Sequence, residues 1–285
     1  MKQSQKDSVI SIFLSVFAVL WLLPLLWTLW NSFRPYKEIL QNGIFSFPST
    51  FSFDNYRAAL AKMSITKYFL NTVIILAPSV FFILFFSSLS AFVLTKYTIP
   101  YRRAILVLFT AGSLLPAQVI YYPIFKMYLM IGDLFGNRTM LYDNYLGIVL
   151  VHIAMQTGFA TFVLHSQLLN IPKDFSEAAQ IDGANVFQHY FSVILPMIKA
   201  PLASLGILLT TLIYNDFVVA WSLLKSDKFF PITTSLTRVG AFNRVIPDQN
   251  VLAAGALIVA IPLVLFFLSV KRYFSGGVLF GGAIK

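Results

Sequence analysis

The chain has 285 residues, 58% of them apolar and only 11% charged, with a mean hydropathy of +0.77. A soluble domain carries roughly 45–50% apolar and about 25% charged residues, so there is too little charge here to cover a water-facing surface, and the composition is that of an integral membrane protein. The net charge of +10 comes from Lys and Arg set singly between apolar runs, which reads as interfacial anchoring and excludes a phosphate-tracking nucleic-acid surface. The absence of cysteine excludes disulfides, thiolate metal sites and cysteine catalysis.

Six apolar segments follow in order, at about 9–30, 68–94, 104–125, 141–164, 201–223 and 251–270. Each is long enough to cross a bilayer as a helix, which needs about 20 apolar residues, and together they predict an all-α membrane protein with a single transmembrane domain over 1–285. The first run is longer than a signal-peptide core and is followed by no small-residue cleavage site, so it is read as an anchoring helix. An even number of spans puts both termini on one side. Lys and Arg divide almost evenly between the two sides, and Arg102, Arg103, Lys271 and Arg272, close to span ends, favour termini inside.

Prolines 24, 78, 116, 123 and 262 fall within spans. Each removes a backbone donor and kinks its helix. Around Pro116 the segment from Gly112 to Gln118 adds small and polar residues at membrane depth. Close packing between helices and a polar cavity at a broken helix both fit that pattern, and Gln118 is a candidate for the second.

The long connection at about 166–200 reads as two short helices joined by a turn. Asp174 and Glu177 resemble a capping box, Gly183 suits the left-handed position after a helix, and Asn185 with Gln188 caps a second helix. That helix is predicted to place Phe187, Tyr190, Phe191 and Ile194 on one face. Ala178 and Ala179 beside Glu177 make the first helix small, which suits insertion into a protein groove better than burial among lipid headgroups.

Glu177-Ala178-Ala179, Asp182-Gly183-Ala184 and Ile194-Leu195-Pro196 resemble the EAA loop of ABC importer membrane subunits, E-A-A-x-x-x-G followed by an apolar pair and L-P, placed between the fourth and fifth of six spans. Asn71-Thr72-Val73, Tyr214-Asn215-Asp216-Phe217, Leu252-Ala253-Ala254-Gly255 and a glycine-rich tail ending at Lys285 extend the resemblance over nearly the whole chain and make it similar to the six-span maltose and oligosaccharide permeases of the carbohydrate-uptake family. The resemblance implies the type I ABC importer permease fold, a cytoplasmic EAA loop and a prokaryotic cell membrane. It implies partners as well: a second homologous permease, two ATP-binding subunits and an extracytoplasmic sugar-binding protein, with a di- or oligosaccharide as substrate.

No G-x-x-x-x-G-K-[ST] occurs in the chain, so the expectation is no catalysis and no cofactor bound here, with ATP and Mg held by the partner subunits. Glu177, Ala178, Ala179, Asp182 and Gly183 are the expected coupling residues. Asp216, a carboxylate close to a span, is expected with Tyr214 and Asn215 to line the path. The outer connection supplies Arg238, Asn243 and Arg244 as candidate contacts to the binding protein, and the tail from Ser275 to Lys285 is expected against the ATP-binding dimer. A permease for a polyol, a glycerol phosphate or a peptide, and a secondary transporter, are the alternatives. The three histidines are too dispersed for a helical ligand pair and read as packing or interface residues.

Overall fold

The structure is a computed structural model that describes residues 3–47, 49–114, 116–239 and 249–270. Among these the chain is helical without strands. It divides into two compact units, the residues up to Ile65 together with Ser235–Pro262, and Thr66–Thr234 together with the residues from Leu263. Four helices are long and apolar enough to cross a membrane, and two bent helix pairs bring the number to as many as six.

In the first unit, α1 (Gln3–Ser32) is a span whose apolar side chains from Ile10 to Leu26 are exposed, Trp21 at 77% among them, while Trp27 and Trp30 pack against Phe45 and Phe47. Two short helices follow, α2 (Tyr36–Asn42) and α3 (Asp54–Lys62). They are organised by Arg34, which is fully buried. Its guanidinium donates to the Glu38 carboxylate at 3.3 Å, to Asn31 Oδ1 at 3.3 Å, to the carbonyls of Ile44 and Gly43 at 2.9 and 3.2 Å, and to Ser46 Oγ at 2.6 Å. Glu38 in turn accepts from the Ser49 and Thr50 amides and from Thr50 Oγ1. The Arg34 carbonyl accepts from Asn55 Nδ2 at 2.8 Å and Asn250 Nδ2 at 2.6 Å. A loop with few backbone partners is thus held by one charged fork whose donors are nearly all used.

In the second unit, α4 (Ile65–Lys96) is followed after a short link by α5 (Arg102–Leu114) and α6 (Ala117–Leu134). These last two meet at 96° around Pro116, which has no N–H to continue a helix and stands at the N-cap of α6. Next come α7 (Tyr145–Leu168), α8 (Asp174–Ile181), α9 (Val186–Gln188), a π-turn over His189–Ile194, α10 (Leu195–Met197), α11 (Lys199–Tyr214) and α12 (Val218–Leu223). The α5–α7 pairing is close because of Gly158, where a Cβ would lie 2.5 Å from the Phe109 carbonyl oxygen. Of the two readings of the Gly112–Gln118 segment, this supports small-residue packing on the Ser113 side of the break, whereas Gln118 on the far side is exposed. The chain ends its described part with a 3₁₀ turn (Ile232–Ser235), α13 (Leu236–Val239) and the span α14 (Gln249–Val270).

The loop after α12 is stapled to two span ends of the same unit. Asn71 Nδ2 donates to the Lys228 and Phe230 carbonyls at 2.9 Å, and its Oδ1 accepts from Tyr145 Oη at 2.5 Å. Thr72 Oγ1 accepts from the Ile232 amide at 2.8 Å, and Asp227 meets both Lys67 and Tyr68 Oη. Asp143, held at φ +53°, caps the Lys225 and Ser226 amides at 2.9 and 2.8 Å. The Asn-Thr pair that the sequence offered only as a family mark is therefore the fastening of the loop after α12.

Burial opposes ionisation of Glu38, but the hydrogen bonds from Ser49 and Thr50 outweigh it and hold the carboxyl below the ordinary value of 4.5. A depressed acid stabilises the fold above its unfolded pKa and loses that contribution as pH falls through the folded one. Limited proteolysis of the 43–50 segment should therefore be unchanged between pH 8 and 6 and accelerate only well below pH 4.5, and Glu38→Gln should show the fast cleavage at every pH.

Candidate coupling hairpin and transport path

The hairpin begins with α8, whose first turn carries Asp174 and Glu177. No capping box forms there. Lys173, with helical φ −66° and ψ −27°, occupies the N-cap and its carbonyl accepts the Ser176 and Glu177 amides, so Asp174 already lies inside the helix and its side chain cannot fold back as a cap. Both carboxylates still sit at the positive end of the helix, where they are favourable.

The helix closes in a Schellman turn. The Ala184 amide donates to the Ala179 carbonyl at 2.9 Å, the Gly183 amide to the Gln180 carbonyl at 3.0 Å, and Gly183 has φ +75°. Nothing lies within 4 Å of a Cβ built on Gly183, so the glycine is required by its dihedral angle and not by crowding. Asn185 then caps α9 in a reciprocal box: its Oδ1 accepts from the Gln188 amide and its own amide donates to Gln188 Oε1, both at 2.9 Å.

Two faces of the hairpin differ from the sequence-based expectation. Ala179 is turned inward and buried with Ser176, one turn apart, while Glu177, Ala178, Gln180, Ile181 and Asp182 are exposed. The outward surface is thus Ala178 flanked by carboxylates and by Ile181, which is 85% exposed, and the two alanines do not share a face. In the second helix Tyr190 and Ile194 are buried but Phe187 and Phe191 are exposed. Phe187 precedes the π-turn over His189–Ile194 and Phe191 lies within it; that turn widens the helix and breaks the 3.6-residue register. Pro196, just after it, has no N–H for the Ser192 carbonyl and its ring crowds that oxygen, so a wider turn relieves the conflict.

The buried side joins the hairpin to α4. His189 Nε2 lies 3.1 Å from Ser176 Oγ and its Nδ1 3.3 Å from Tyr97 Oη. The imidazole stands edge-on to Phe92 at 5.1 Å, and Tyr190 Oη bonds Ser88 Oγ at 2.7 Å. Lys96 Nζ reaches the Ile171 carbonyl at 3.1 Å. Around these contacts Phe92, Leu164, Leu168, Tyr190, Ile194, Ile198 and Leu205 form one buried apolar cluster. His189 and Tyr190 are buried as a packing histidine and an apolar-face residue, as the sequence implied, whereas the bond from Ser176 was not foreseen, and the one available signal was that polar atoms on a helix carrying this much apolar surface need partners.

A second group of polar residues lies where α11 ends. Tyr214 is buried, Asn215 is exposed with its Nδ2 on the Thr211 carbonyl at 2.9 Å, and Asp216 is partly buried between α11 and α12. Asp216 Oδ1 accepts from the Val219 amide at 3.3 Å and its carbonyl accepts from Thr233 Oγ1 at 3.0 Å, so the residue supplies partners to both sides of the break. Its Oδ2 lies 3.8 Å from His152 Nε2 of α7 and has no hydrogen bond. Gln118 lies one turn before Tyr121, which packs in the apolar cluster with Val219 and Ala220 of α12. Arg238 is exposed on α13. Asn243, Arg244 and the tail from Ser275 to Lys285 lie outside the described residues.

The helical architecture, the broken spans and the hairpin define a membrane-embedded transporter subunit. The fold matches that of a bacterial ABC transporter that imports the acidic polysaccharide alginate, with a TM-score of 0.78 at 23% identity, covering 96% of this chain and 99% of the other. The family model described as "Binding-protein-dependent transport system inner membrane component" matches residues 83–279, and the chain belongs to that family of ABC importer permeases. Among its relatives are a diacetylchitobiose uptake permease of Streptomyces coelicolor, 29% identical over 93% of this chain and 85% of the relative, and a probable permease for starch degradation products of Thermoanaerobacterium thermosulfurigenes, 28% identical over 95% and 94%. An arabinooligosaccharide permease of Bacillus subtilis is 27% identical over 96% and 94%.

Gly183→Val should strain the turn by about 1–2 kcal/mol, and Asn185→Ala should remove a cap worth ~1 kcal/mol. Protease cleavage within 181–186 of the membrane-inserted chain should accelerate in both variants, while Gln180→Ala, whose side chain is exposed, should match the parent.

Proposed function

We propose that this chain is one of the two membrane subunits of an ATP-driven, binding-protein-dependent importer for a di- or oligosaccharide, resident in a prokaryotic cell membrane with both termini in the cytoplasm. It binds no cofactor: ATP and Mg belong to two ATP-binding subunits, and an extracytoplasmic sugar-binding protein delivers the substrate. The observation that carries the reading is the hairpin itself. Its exposed turn is stiffened at both ends by the Gly183 Schellman turn and the Asn185 box, and its buried face is tied to α4 through His189, Tyr190 and Lys96. A lever needs both properties, because a movement imposed on Glu177, Ala178 and Asp182 reaches the spans only if nothing between them yields. The sugar is supported by the relatives, which carry diacetylchitobiose, starch products and arabinooligosaccharides in their names.

In this reading the break at Asn215–Phe217 lets α12 turn away from α11, and Asp216, Asn215, Tyr214 and Gln118 present polar groups towards the path formed with the second permease. Arg238, with Asn243 and Arg244 in the adjoining connection, faces the binding protein. The test is co-purification and uptake with the assembled importer. Ala178→Asp and Gly183→Val should each lower recovery of the ATP-binding subunit and reduce oligosaccharide uptake at least tenfold, with membrane insertion intact. Normal recovery together with normal uptake in both variants would show that this hairpin is not the docking element.

A further inference from the structure

Beside the hairpin, in the same unit, opens a polar cleft of about 880 Å³. It is lined by Lys96 at the end of α4, by Arg102 and Arg103 at the start of α5, and by Lys173 and Glu177 at the start of α8. Four cations thus face one carboxylate. None of the four has an ion-pair partner among the described residues; Lys96 and Arg102 rest on the carbonyls of Ile171 and Leu94, at 3.1 and 3.4 Å. Like charges gathered at one opening repel, and a fold keeps them together at least cost when an anion is shared between them.

The place decides which anion. Lys96 closes one apolar span and Arg102 opens the next helix of a candidate span, so the cleft lies where the apolar segments end, at headgroup level. Between them the link 97–101 turns through Tyr101, a bulky residue held at φ +57° and 84% exposed. A left-handed conformation is unfavourable for such a side chain. Here it aims an amphipathic ring outward at the depth where tyrosines anchor to the bilayer interface.

We propose that this cleft binds the phosphate of an anionic phospholipid headgroup, with Arg102, Arg103 and Lys173 as the principal donors and Lys96 at its floor. A phosphate held there bridges the start of α5 to the start of α8, so the lipid becomes a third fastening of the hairpin beside the His189 and Tyr190 contacts. That consequence rests on the hairpin being the coupling element; the lipid site itself does not.

The test uses the full chain in phosphatidylcholine nanodiscs and measures its preference for spin-labelled phosphatidylglycerol over spin-labelled phosphatidylcholine. The expected preference is about 25-fold, falling about fivefold for each charge removed, so that Arg102→Gln with Arg103→Gln brings it to parity. Lys173→Gln, at an exposed position without an ion-pair partner, gives an independent reduction should the double variant fail to fold. Equal affinity for the two lipids, or an undiminished preference in Lys173→Gln, overturns the proposal. Loss of the preference on adding millimolar inorganic phosphate at constant ionic strength overturns it in favour of free phosphate. A preference unchanged by the arginine substitutions, with recovery of the ATP-binding subunit lost, overturns it in favour of a protein-docking surface. Gly183→Val separates the two readings: a retained lipid preference with normal subunit recovery refutes the coupling role and leaves the lipid site standing.

Discussion

Within a bilayer no water is at hand to satisfy a broken backbone, and this constraint governs where the chain can depart from a helix. The break after α11 and the loop after α12 in the second unit are matched by polar side chains placed to serve them. Asp216 accepts the Val219 amide after α11 stops, Thr233 reaches the Asp216 carbonyl, and Asn71, Thr72 and Asp143 take up the amides and carbonyls of the loop that follows α12. In the first unit the Arg34 fork does the same for the segment after α1. The polar residues of a chain this apolar are concentrated where the backbone would otherwise be left unpaired.

The hairpin follows the same logic for a different purpose. Its tip is rigid through local bonds between near neighbours in sequence, which cost little chain entropy to form. Its attachment is rigid through contacts of long sequence separation, His189 with Tyr97 and Tyr190 with Ser88. The π-turn reconciles the two. It lets Tyr190 and Ile194 face the apolar cluster while Pro196 is accommodated a turn later, and Phe191 within it and Phe187 before it are left exposed. The exposed surface of the hairpin therefore combines a small centre, an acidic flank and aromatic side chains.

The break at Asn215–Phe217 places a carboxylate oxygen without a hydrogen bond 3.8 Å from His152. An acceptor left unpaired in a static core is costly.

Much of this protein was determined by the sequence alone. Hydropathy is a composition-level signal, so the apolar spans and the membrane class follow from it directly. The Gly183 turn and the Asn185–Gln188 box are bonds between residues at most a few positions apart, and their spacing was enough to place them. What only the tertiary structure decided were the features that depend on which side of a helix meets a neighbour. Ala178 and Ala179 are adjacent in the motif but point about 100° apart, and the packing of Ser176 against His189 selects Ala179 for the interior. The register of the second helix was beyond periodicity, since a single π-turn displaces every residue after it. The gathering of Lys96, Arg102, Arg103 and Lys173 around one cleft likewise joins residues up to 77 positions apart, and no local pattern encodes it.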